Sequence, residues 1–257
     1  MTAPSTRRLA LVRRPGPLLA DGIVTHVARL PVDVGRAAAE HAGYVQALKG
    51  AGWTVHPVEP ADDAPDAVFV EDTVVVVEDL AVLTRPGAPV RRAEVAGTAA
   101  AVTSLGLRTA TIEAPGTLDG GDVLQVGSTV YVGRGDRTND AGIAQLAALL
   151  VPLGRTIRAV GLRDVLHLKS ALTALPDGTL IGLPHLLDLA GLPPVQVPPE
   201  EEGAHVVPLG GGSVLVAASA PVTVAWLRDL GLAPVVVEIG EFEKLEGCVT
   251  CLSVLIP

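Results

Sequence analysis

The two cysteines of the chain, Cys248 and Cys251, lie close to its end in the segment EGCVTCLSVLIP. A Cys-x-x-Cys pair can be a redox couple, half of a zinc site, simple packing, or a nucleophile with a neighbour. A redox couple of the thioredoxin type stands at the start of a helix, because the helix N-terminus stabilises a thiolate, but here only LSVLIP follows, which is typical of a strand. A structural zinc site needs four ligands, and the sequence has neither a second cysteine pair nor a His-x-x-x-His motif. The first two interpretations are therefore disfavoured.

If the end of the chain is extended, residues three apart point to opposite faces, so only one of the two sulfurs should reach a site. Cysteine among apolar neighbours is usually inert, which suits Cys248 beside the turn residue Gly247. We therefore predict that Cys248 packs away from the site and that Cys251, at the entry to the last strand, is the candidate nucleophile.

Acidic residues crowd the start of an otherwise apolar segment, PDAVFVEDTVVVV, which contains Asp66, Glu71 and Asp72. Adjacent strand residues alternate between faces, so at least one of Glu71 and Asp72 is expected to face inward. A strand end in water explains both carboxylates equally well.

The segment TLDGGDVLQVG repeats this pattern, with Asp119 and Asp122 bracketing two glycines before the next apolar run. Gly120 and Gly121 are interpreted as serving a turn that needs unusual backbone angles. Acidic residues thus recur where two separate hairpins begin, and in a ring of such units these positions would converge.

His167 interrupts the apolar segment VLHLKSAL at the point of its unit that corresponds to Asp119. A satisfied core histidine is the commoner outcome, but the equivalence predicts that both residues face one centre. Arg91 and Arg137 also occupy corresponding places, each after a hairpin and near the start of a helix. Exposure is the default for arginine, although a bidentate guanidinium there could hold a carboxylate.

The elements that must position these residues follow a repeating order. Short apolar segments in pairs, joined by turn residues, predict hairpins, and each hairpin is followed by helical spacing and another apolar run. Unit starts recur every roughly 40 to 55 residues, a period typical of repeat architectures. The predicted helices are Val34 to Gly50, Arg91 to Leu105, Asp140 to Leu150 and Ala220 to Leu230.

We predict an α/β fold with one domain, residues 1–257, made of five αβ units. The first and last strands, Leu9 to Arg13 and Val249 to Ile256, complete one another, which favours a closed ring over an open solenoid. The fourth helix position, Leu183 to Pro199, is too rich in proline and leucine to assign.

Composition narrows the function classes. A net charge of −9 argues against nucleic acid as a partner, because phosphates call for clustered lysine and arginine. It mildly favours a cationic ligand, although an acidic surface can simply keep a protein in solution. No apolar run is long enough for a signal peptide or a membrane span. A disulfide between two cysteines so close in sequence would stabilise the fold very little. We therefore expect a cytoplasmic protein with free thiols and no membrane partner.

Taken together, the motifs resemble the dimethylarginine dimethylaminohydrolases, members of the guanidino-group-modifying (pentein) superfamily. The resemblance runs in order along nearly the whole chain. It rests on FVEDTVVVVEDLAVLTRPGAPVRR, EAPGTLDGGDVLQVG, RTNDAG, VLHLKSAL and EKLEGCVTCLSVLIP.

The resemblance implies a five-bladed αβ propeller that hydrolyses methylated arginine to citrulline and a methylamine through a thiouronium on cysteine. It implies Cys251 as nucleophile, His167 as general acid and base, and Asp119 as catalytic carboxylate. Asp72 and Asp119 would hold the guanidinium, and no cofactor or metal is expected. The implied substrate-binding positions are Ile23, Asp66, Glu71, Asp72, Arg91, Arg137, Leu245 and Glu246.

The chain departs from the family pattern at two positions. Cys248 stands where an apolar residue or glycine is expected, and Asp119 stands where several relatives carry glutamate. The segment PGPLLADGIVT, residues 15–25 and expected to be a mobile flap, matches more loosely. An arginine deiminase acting on unmethylated arginine is the nearest alternative, and a non-catalytic arginine-binding protein or a redox Cys-x-x-Cys protein is more distant. The sequence leaves open whether the chain forms a homodimer.

Overall fold

The computed structural model describes residues 8–257, so the predicted domain is seen apart from its first seven residues. Its strands form five separate sheets of three strands each. Every sheet pairs an inner strand antiparallel to a middle strand, and the middle strand parallel to an outer one. The strands are β1 (Leu9–Val12), β2 (Thr54–Pro57), β3 (Val74–Val77), β4 (Leu80–Leu83), β5 (Arg108–Thr111), β6 (Val123–Val126), β7 (Thr129–Arg134), β8 (Thr156–Gly161), β9 (Leu172–Ala174), β10 (Leu180–Gly182), β11 (Val195–Gln196), β12 (Val206–Gly210), β13 (Ser213–Ala217), β14 (Ala233–Val237) and β15 (Val254–Ile256).

In four of the units a helix carries the chain from the middle strand to the parallel outer strand. Such a crossover is needed because parallel neighbours cannot be joined by a tight turn. Asp33 and Asn139 cap the first and third of these helices through their side chains. The crossover helices are α1 (Val34–Gly50), α2 (Val95–Ser104), α3 (Asp140–Leu150) and α4 (Pro221–Asp229), and α5 (Gly240–Glu243) is a single turn.

The fourth unit has no α-helix at this place, only the short 3₁₀ turn Pro184–Leu186 before β11. Proline lacks a backbone donor and disfavours helix at the preceding residue, so the proline- and leucine-rich linker stays irregular. In the second unit, the 3₁₀ turn Pro89–Glu94 takes the first part of the predicted helix, and α2 begins at Val95.

The two ends of the chain close the ring. Strand β1 pairs antiparallel with β15, with Leu9 opposite Ile256, and parallel with β2. Strand β15 in turn packs against β3 of the next unit. The predicted five-bladed αβ propeller is confirmed.

A short turn precedes each inner strand, and these turns were not expected. Glu71 and Asp72 were predicted to lie in a strand, but Val70–Thr73 form a 3₁₀ turn and β3 begins only at Val74. Gly120–Asp122 and Leu168–Ser170 do the same before β6 and β9. Residues 249–252 likewise form a turn rather than a strand before β15. The polar residues at these positions therefore lie on turns that meet near the axis of the ring.

No helix among residues 8–257 is long and apolar enough to cross a lipid bilayer.

Candidate active site

Three polar side chains from successive units meet at the axis, as the equivalence of their positions predicted. Asp72 lies in the 3₁₀ turn Val70–Thr73, whereas Asp119 and His167 each stand immediately before such a turn. One carboxylate oxygen of each aspartate and a ring nitrogen of His167 all lie within 4.8 Å of one another. The pseudo-symmetry of the ring thus places residues about fifty positions apart in one cluster.

His167 and Asp119 form a buried pair. Nε2 of His167 is 3.0 Å from Oδ2 of Asp119 and 3.8 Å from Oδ1 of Asp72. Burial by itself would lower the pKa of His167, but the charge of Asp72, the hydrogen bond to Asp119 and the charge of Asp122 outweigh it and raise the pKa to about 9. His167 is therefore a cation at neutral pH, with one N–H directed to Asp119.

Asp122 holds the turn that follows His167. Its Oδ1 accepts a hydrogen bond from the backbone N–H of Leu168, and its Oδ2 accepts one from the hydroxyl of Thr138. Burial raises the pKa of Asp122 to about 6, against the opposing charge of His167 and the hydrogen bond from Thr138. This second aspartate of the DGGD motif fixes where the histidine backbone lies.

Asp72 belongs to a buried ion-pair network with Arg91. Nη1 of Arg91 donates to Oδ2 of Asp72 at 2.6 Å, and Nη2 and Nε donate to the carboxylate of Glu94. Nη2 also donates to the backbone carbonyls of Asp66 and Phe69. Burial opposes the charge on Asp72, but His167 and Arg91 lower its pKa to about 2. Of the five N–H groups of Arg91, this leaves one, on Nη1, for another acceptor.

The two glycines of the DGGD motif serve close approach rather than unusual backbone angles. Neither Gly120 nor Gly121 has a positive φ, so the turn interpretation was wrong. A Cβ on Gly121 would lie 2.7 Å from Oδ1 of Asp72 and 2.8 Å from Nδ1 of His167. The backbone N–H of Gly121 also donates to Oδ1 of Asp72 at 2.9 Å. Glycine is required because the two functional side chains occupy the space of a methyl group.

Cys248 and Cys251 do not face opposite sides, so the reason for predicting that Cys248 packs away from the site is wrong, although of the two only Cys251 lines the cleft described below. The strand begins only at Val254, and the backbone N–H of Cys251 donates to the carbonyl of Cys248 at 3.1 Å, closing a turn. Residues at the two ends of such a turn lie on one side, so the two Sγ atoms are 3.2 Å apart. Both thiols are free and buried. The alternation argument failed because it assumed extended backbone where the chain turns.

A small cleft of about 20 Å³ opens next to this cluster, enough for about one water molecule. Phe69, Leu166 and Gly247 supply parts of its wall that the sequence did not single out. The predicted site residues that line it are Ile23, Asp66, Asp72, Arg91, Arg137, His167, Leu245, Glu246 and Cys251.

Two predicted site residues, the catalytic carboxylate Asp119 and the substrate-binding Glu71, do not line the cleft. Asp119 is fully buried behind His167, and its Oδ1 accepts a hydrogen bond from the backbone N–H of Gly87. Glu71 lines a separate cavity of about 220 Å³, where its Oε1 pairs with Nζ of Lys169 at 2.6 Å. Adjacent residues diverge here, so Asp72 reaches the cleft and Glu71 the other side of the ring. Neither Asp119 nor Glu71 is placed to hold a guanidinium in the cleft.

The flap, residues 15–25, is fastened over the cleft by two acidic side chains. The backbone N–H of Ile23 donates to both carboxylate oxygens of Asp66, at 3.0 and 3.3 Å. The two oxygens of Glu246 accept hydrogen bonds from the backbone N–H groups of Thr25 and His26. Asp66 and Glu246 therefore act here on the flap, and their predicted direct contact with a ligand stays a prediction.

Ile23 and Leu245 line the cleft, and their backbone carbonyls accept no hydrogen bond from residues 8–257, which leaves both free as acceptors. Arg137 also lines the cleft, and its guanidinium forms no ion pair within the described part of the chain.

The cluster of Asp72, Asp119 and His167 has the donor types of a metal site, but its polar atoms already have other partners. Asp72 is neutralised by Arg91, and Asp119 shares its Oδ2 with the ring nitrogen of His167. A cation would have to displace these contacts next to a buried guanidinium. The arrangement suits a proton held between His167 and Asp119 better than a metal ion.

One signal in the sequence was missed. Glu94 is buried and pairs with Arg91 three residues earlier at 2.8 Å, a spacing at which side chains on one helical turn meet. The spacing of Arg91 and Glu94 in the motif RRAE therefore predicts that Glu94 partly neutralises the charge of the Arg91 guanidinium.

The fivefold arrangement of αβ units around a cluster of cysteine, histidine and carboxylate places the chain among the guanidino-group-modifying enzymes of the pentein class. The chain is 60% identical over 246 residues to N(G),N(G)-dimethylarginine dimethylaminohydrolase from Streptomyces coelicolor, and the match covers 95% of each chain. The chain belongs to the dimethylarginine dimethylaminohydrolase family.

Solved structures support this assignment. A cysteine-to-serine variant of the enzyme from Pseudomonas aeruginosa in complex with citrulline superposes with a TM-score of 0.89 at 31% identity, covering 97% of this chain and 99% of that one. A histidine-to-glycine variant of a dimethylarginine dimethylaminohydrolase, as an adduct with S-methyl-L-thiocitrulline, also gives 0.89 at 30% identity, covering 96% and 99%. No protein-family model matches the chain.

Proposed function

We propose that the chain hydrolyses N-ω-methylated L-arginine to L-citrulline and a methylamine through a covalent thiouronium on Cys251. The observation that carries the proposal is that a thiol, a histidine held as a cation and a buried carboxylate line one cleft. The name of the relative from Streptomyces coelicolor and the citrulline bound to the enzyme from Pseudomonas aeruginosa support the same substrate class.

In this proposal the substrate lies between opposite charges. The carboxylate of Asp72 receives the guanidinium through charge-assisted hydrogen bonds. Arg137 and the remaining N–H of Arg91 hold the substrate carboxylate, and the free carbonyls of Ile23 and Leu245 accept from its amino group. Arg137 carries the larger share, because most donors of Arg91 are already used by Asp72 and Glu94.

Cys251 is a thiol before substrate arrives. The hydrogen bond with Cys248, burial and the carboxylates of Glu71 and Asp72 raise the pKa of Cys251. A bound guanidinium reverses this balance, because its positive charge beside the sulfur favours the thiolate. The thiol proton passes to solvent as the guanidinium binds, so the nucleophile is formed where and when it can attack the guanidinium carbon.

His167 then acts twice. As a cation it donates a proton to the departing methylamine, without which the collapse of the tetrahedral intermediate would expel a poor leaving group. Neutral after that step, it takes a proton from the water that attacks the thiouronium, which releases citrulline and regenerates the cation. Asp119 contacts the ring of His167 and does not line the cleft, so it supports both states by fixing the ring and balancing its charge.

The flap completes the proposal. A cleft that holds about one water is too small for an arginine, so residues 15–25 have to open for entry and then close. Closure over the bound substrate would exclude bulk water and strengthen every charge interaction inside.

The proposal includes one catalytic domain in the cytoplasm that acts without a cofactor on a small cationic guanidino substrate. Two free thiols in close contact are expected in a reducing compartment, which supports the cytoplasm. The net negative charge disfavours nucleic acid and membrane surfaces as partners.

The test is to incubate the protein separately with asymmetric dimethylarginine and with arginine and to quantify citrulline, dimethylamine and ammonia. Citrulline and dimethylamine in equal amounts from the methylated substrate, with little ammonia from arginine, are expected. Ammonia from arginine at a higher rate would instead identify an arginine deiminase. The Cys251→Ser variant is the matched control, since it keeps the volume of the side chain and loses the nucleophile.

A further inference from the structure

The proposed reaction uses one thiol, yet a second one contacts it. Sγ of Cys248 lies 3.2 Å from Sγ of Cys251, and the hydroxyl of Thr250 lies 3.2 Å from Sγ of Cys248. The backbone N–H of Cys248 points to Sγ of Cys251 at 3.4 Å. The mechanism gives Cys248 no role, and a packing role alone would not require its sulfur to face the nucleophile.

We propose that Cys248 and Cys251 are a thiol modification site, in which a hydroperoxide oxidises the pair to an intramolecular disulfide that reversibly inactivates the enzyme. The loss of activity rests on the proposed function of Cys251, whereas formation of the disulfide does not.

The backbone permits this bond with little movement. The hydrogen bond from the N–H of Cys251 to the carbonyl of Cys248 closes a four-residue turn, whose end Cα atoms lie within about 7 Å. A disulfide needs a Cα separation of about 4.4 to 6.8 Å with the two side chains facing one another. The turn brings the two Cα atoms close to this range, and the 3.2 Å between the Sγ atoms shows that the side chains face one another.

Cys248 also has its own route to small molecules. It lines a cavity of about 340 Å³ that is separate from the cleft, whereas Cys251 lines the cleft itself. Glu246 and Gly247 form part of both walls. A peroxide can therefore approach the pair from the larger cavity while the flap is closed or the cleft is occupied.

The surroundings place the reactive thiolate on Cys248. The hydrogen bond from Cys251 lowers the pKa of Cys248 against the effect of burial, and the charge of His205 and the hydroxyl of Thr250 add to it. The carboxylates of Glu71 and Asp72 act in the opposite direction on Cys251. A thiolate is the form that reacts with peroxide.

The chemistry balances in two steps. The Cys248 thiolate attacks one oxygen of hydrogen peroxide, the O–O bond breaks, and a sulfenic acid and hydroxide form. The Cys251 thiol then attacks the sulfenic sulfur, the S–O bond breaks, and a disulfide and water form. A dithiol such as dithiothreitol returns both thiols and is itself oxidised.

The experiment treats the full chain with hydrogen peroxide, blocks remaining thiols with iodoacetamide, and measures intact mass and the peptide that contains both cysteines. The expected product has lost the mass of two hydrogen atoms, carries no alkyl group on either cysteine, and recovers both thiols and its citrulline formation with dithiothreitol. Cys248→Ser should instead gain oxygen on Cys251 and recover little of its own untreated activity.

Uptake of oxygen by the unsubstituted chain without a disulfide, or disulfides only between chains, would overturn the proposal. The mass measurement needs no turnover, so the two proposals fail separately. A disulfide in a protein that forms no citrulline would contradict only the proposed function. Citrulline formation without a disulfide after peroxide would contradict only this inference.

Discussion

At the scale of single residues, Asp119 supports a catalytic group, His167, and is not placed to contact the substrate. Its carboxylate meets the ring of His167 and the backbone of Gly87, and it does not line the cleft. We expect Asp119→Asn to lower kcat by about 100-fold, because a neutral partner no longer stabilises the cationic histidine, while KM changes little. The alkaline limb of the kcat profile should also move to lower pH, which steady-state kinetics across pH would measure. A rise in KM with unchanged kcat would show that Asp119 binds substrate after all.

Gly121 is the second residue whose role is specific to the site. An alanine there keeps an allowed backbone but places its Cβ within 2.8 Å of the functional atoms of Asp72 and His167. We expect Gly121→Ala to reduce kcat/KM by about 100-fold, since small displacements of reacting groups are costly. Gly43→Ala is the control, because a Cβ in that part of α1 meets nothing within 4 Å. Equal activity of the two variants would contradict the close-packing explanation.

The sequence predicted which residues form the site better than it predicted the contacts between them. Equivalence between units correctly predicted that His167 and Asp119 face one centre with an acidic residue of the preceding hairpin, because it depends only on where each residue stands in its repeat, but it did not choose Asp72 over Glu71. The relation of Cys248 to Cys251 was wrong, and so was the reason for Gly120 and Gly121, because both depend on backbone angles that the residue types do not specify.

At the scale of elements, Leu19 anchors the middle of the flap in the core, and two acidic side chains fasten its end. Thr25 at the end of the flap and the adjoining His26 donate their backbone N–H groups to Glu246, and hydrogen bonds to a charged group are worth about 1.5 to 3 kcal/mol each. We therefore expect Glu246→Ala to raise KM for dimethylarginine by about tenfold or more and to speed proteolysis within residues 15–25. The exposed Glu238→Ala is the matched control. Unchanged proteolysis together with a raised KM would indicate that Glu246 binds the substrate directly.

Helices and strands could be located from periodicity, and the short turns between them could not. Helices α1 and α3 begin and end where the pattern predicts, because their capping residues Asp33 and Asn139 mark their starts. The 3₁₀ turns before the inner strands contain apolar residues such as Val70 and Leu168, which pattern alone assigns to strands. Those turns position the site, so the least predictable elements are also the functional ones.

At the scale of the whole molecule, the buried charges of the site connect its chemistry to its stability. The pKa of His167 rises from an ordinary value of 6.5 to about 9 in the folded chain, so the folded state binds the proton more tightly than the unfolded state. This stabilisation is fully present below pH 6.5 and is lost as pH rises through about 9, with an upper limit of about 3 kcal/mol.

Urea unfolding of the unsubstituted chain and of His167→Asn across that range measures the effect. The free energy of unfolding should fall with rising pH more steeply for the unsubstituted chain, and the difference between the two should shrink towards the alkaline end. Parallel curves would contradict a cationic histidine in the folded state. Glu71 and Asp122, with pKa values of about 7 and 6 in the folded chain, affect stability mainly below this range and are present in both proteins.

Closure of the ring could be predicted from the two chain ends, because only β1 and β15 lacked a partner in the hairpin pattern. The structure shows why closure matters for function: the turn that carries Cys251 leads directly into β15. The strand that closes the propeller thus also positions the nucleophile.

The central claim is that Cys251 attacks the guanidino carbon and that His167 activates water to free the product. Exposure of His167→Gly to S-methyl-L-thiocitrulline, followed by peptide mass spectrometry, tests it most directly, because the leaving methanethiol needs little acid assistance and the thiouronium should then persist. The account predicts a covalent adduct on Cys251. An adduct on Cys248, or none in a folded variant, would contradict it.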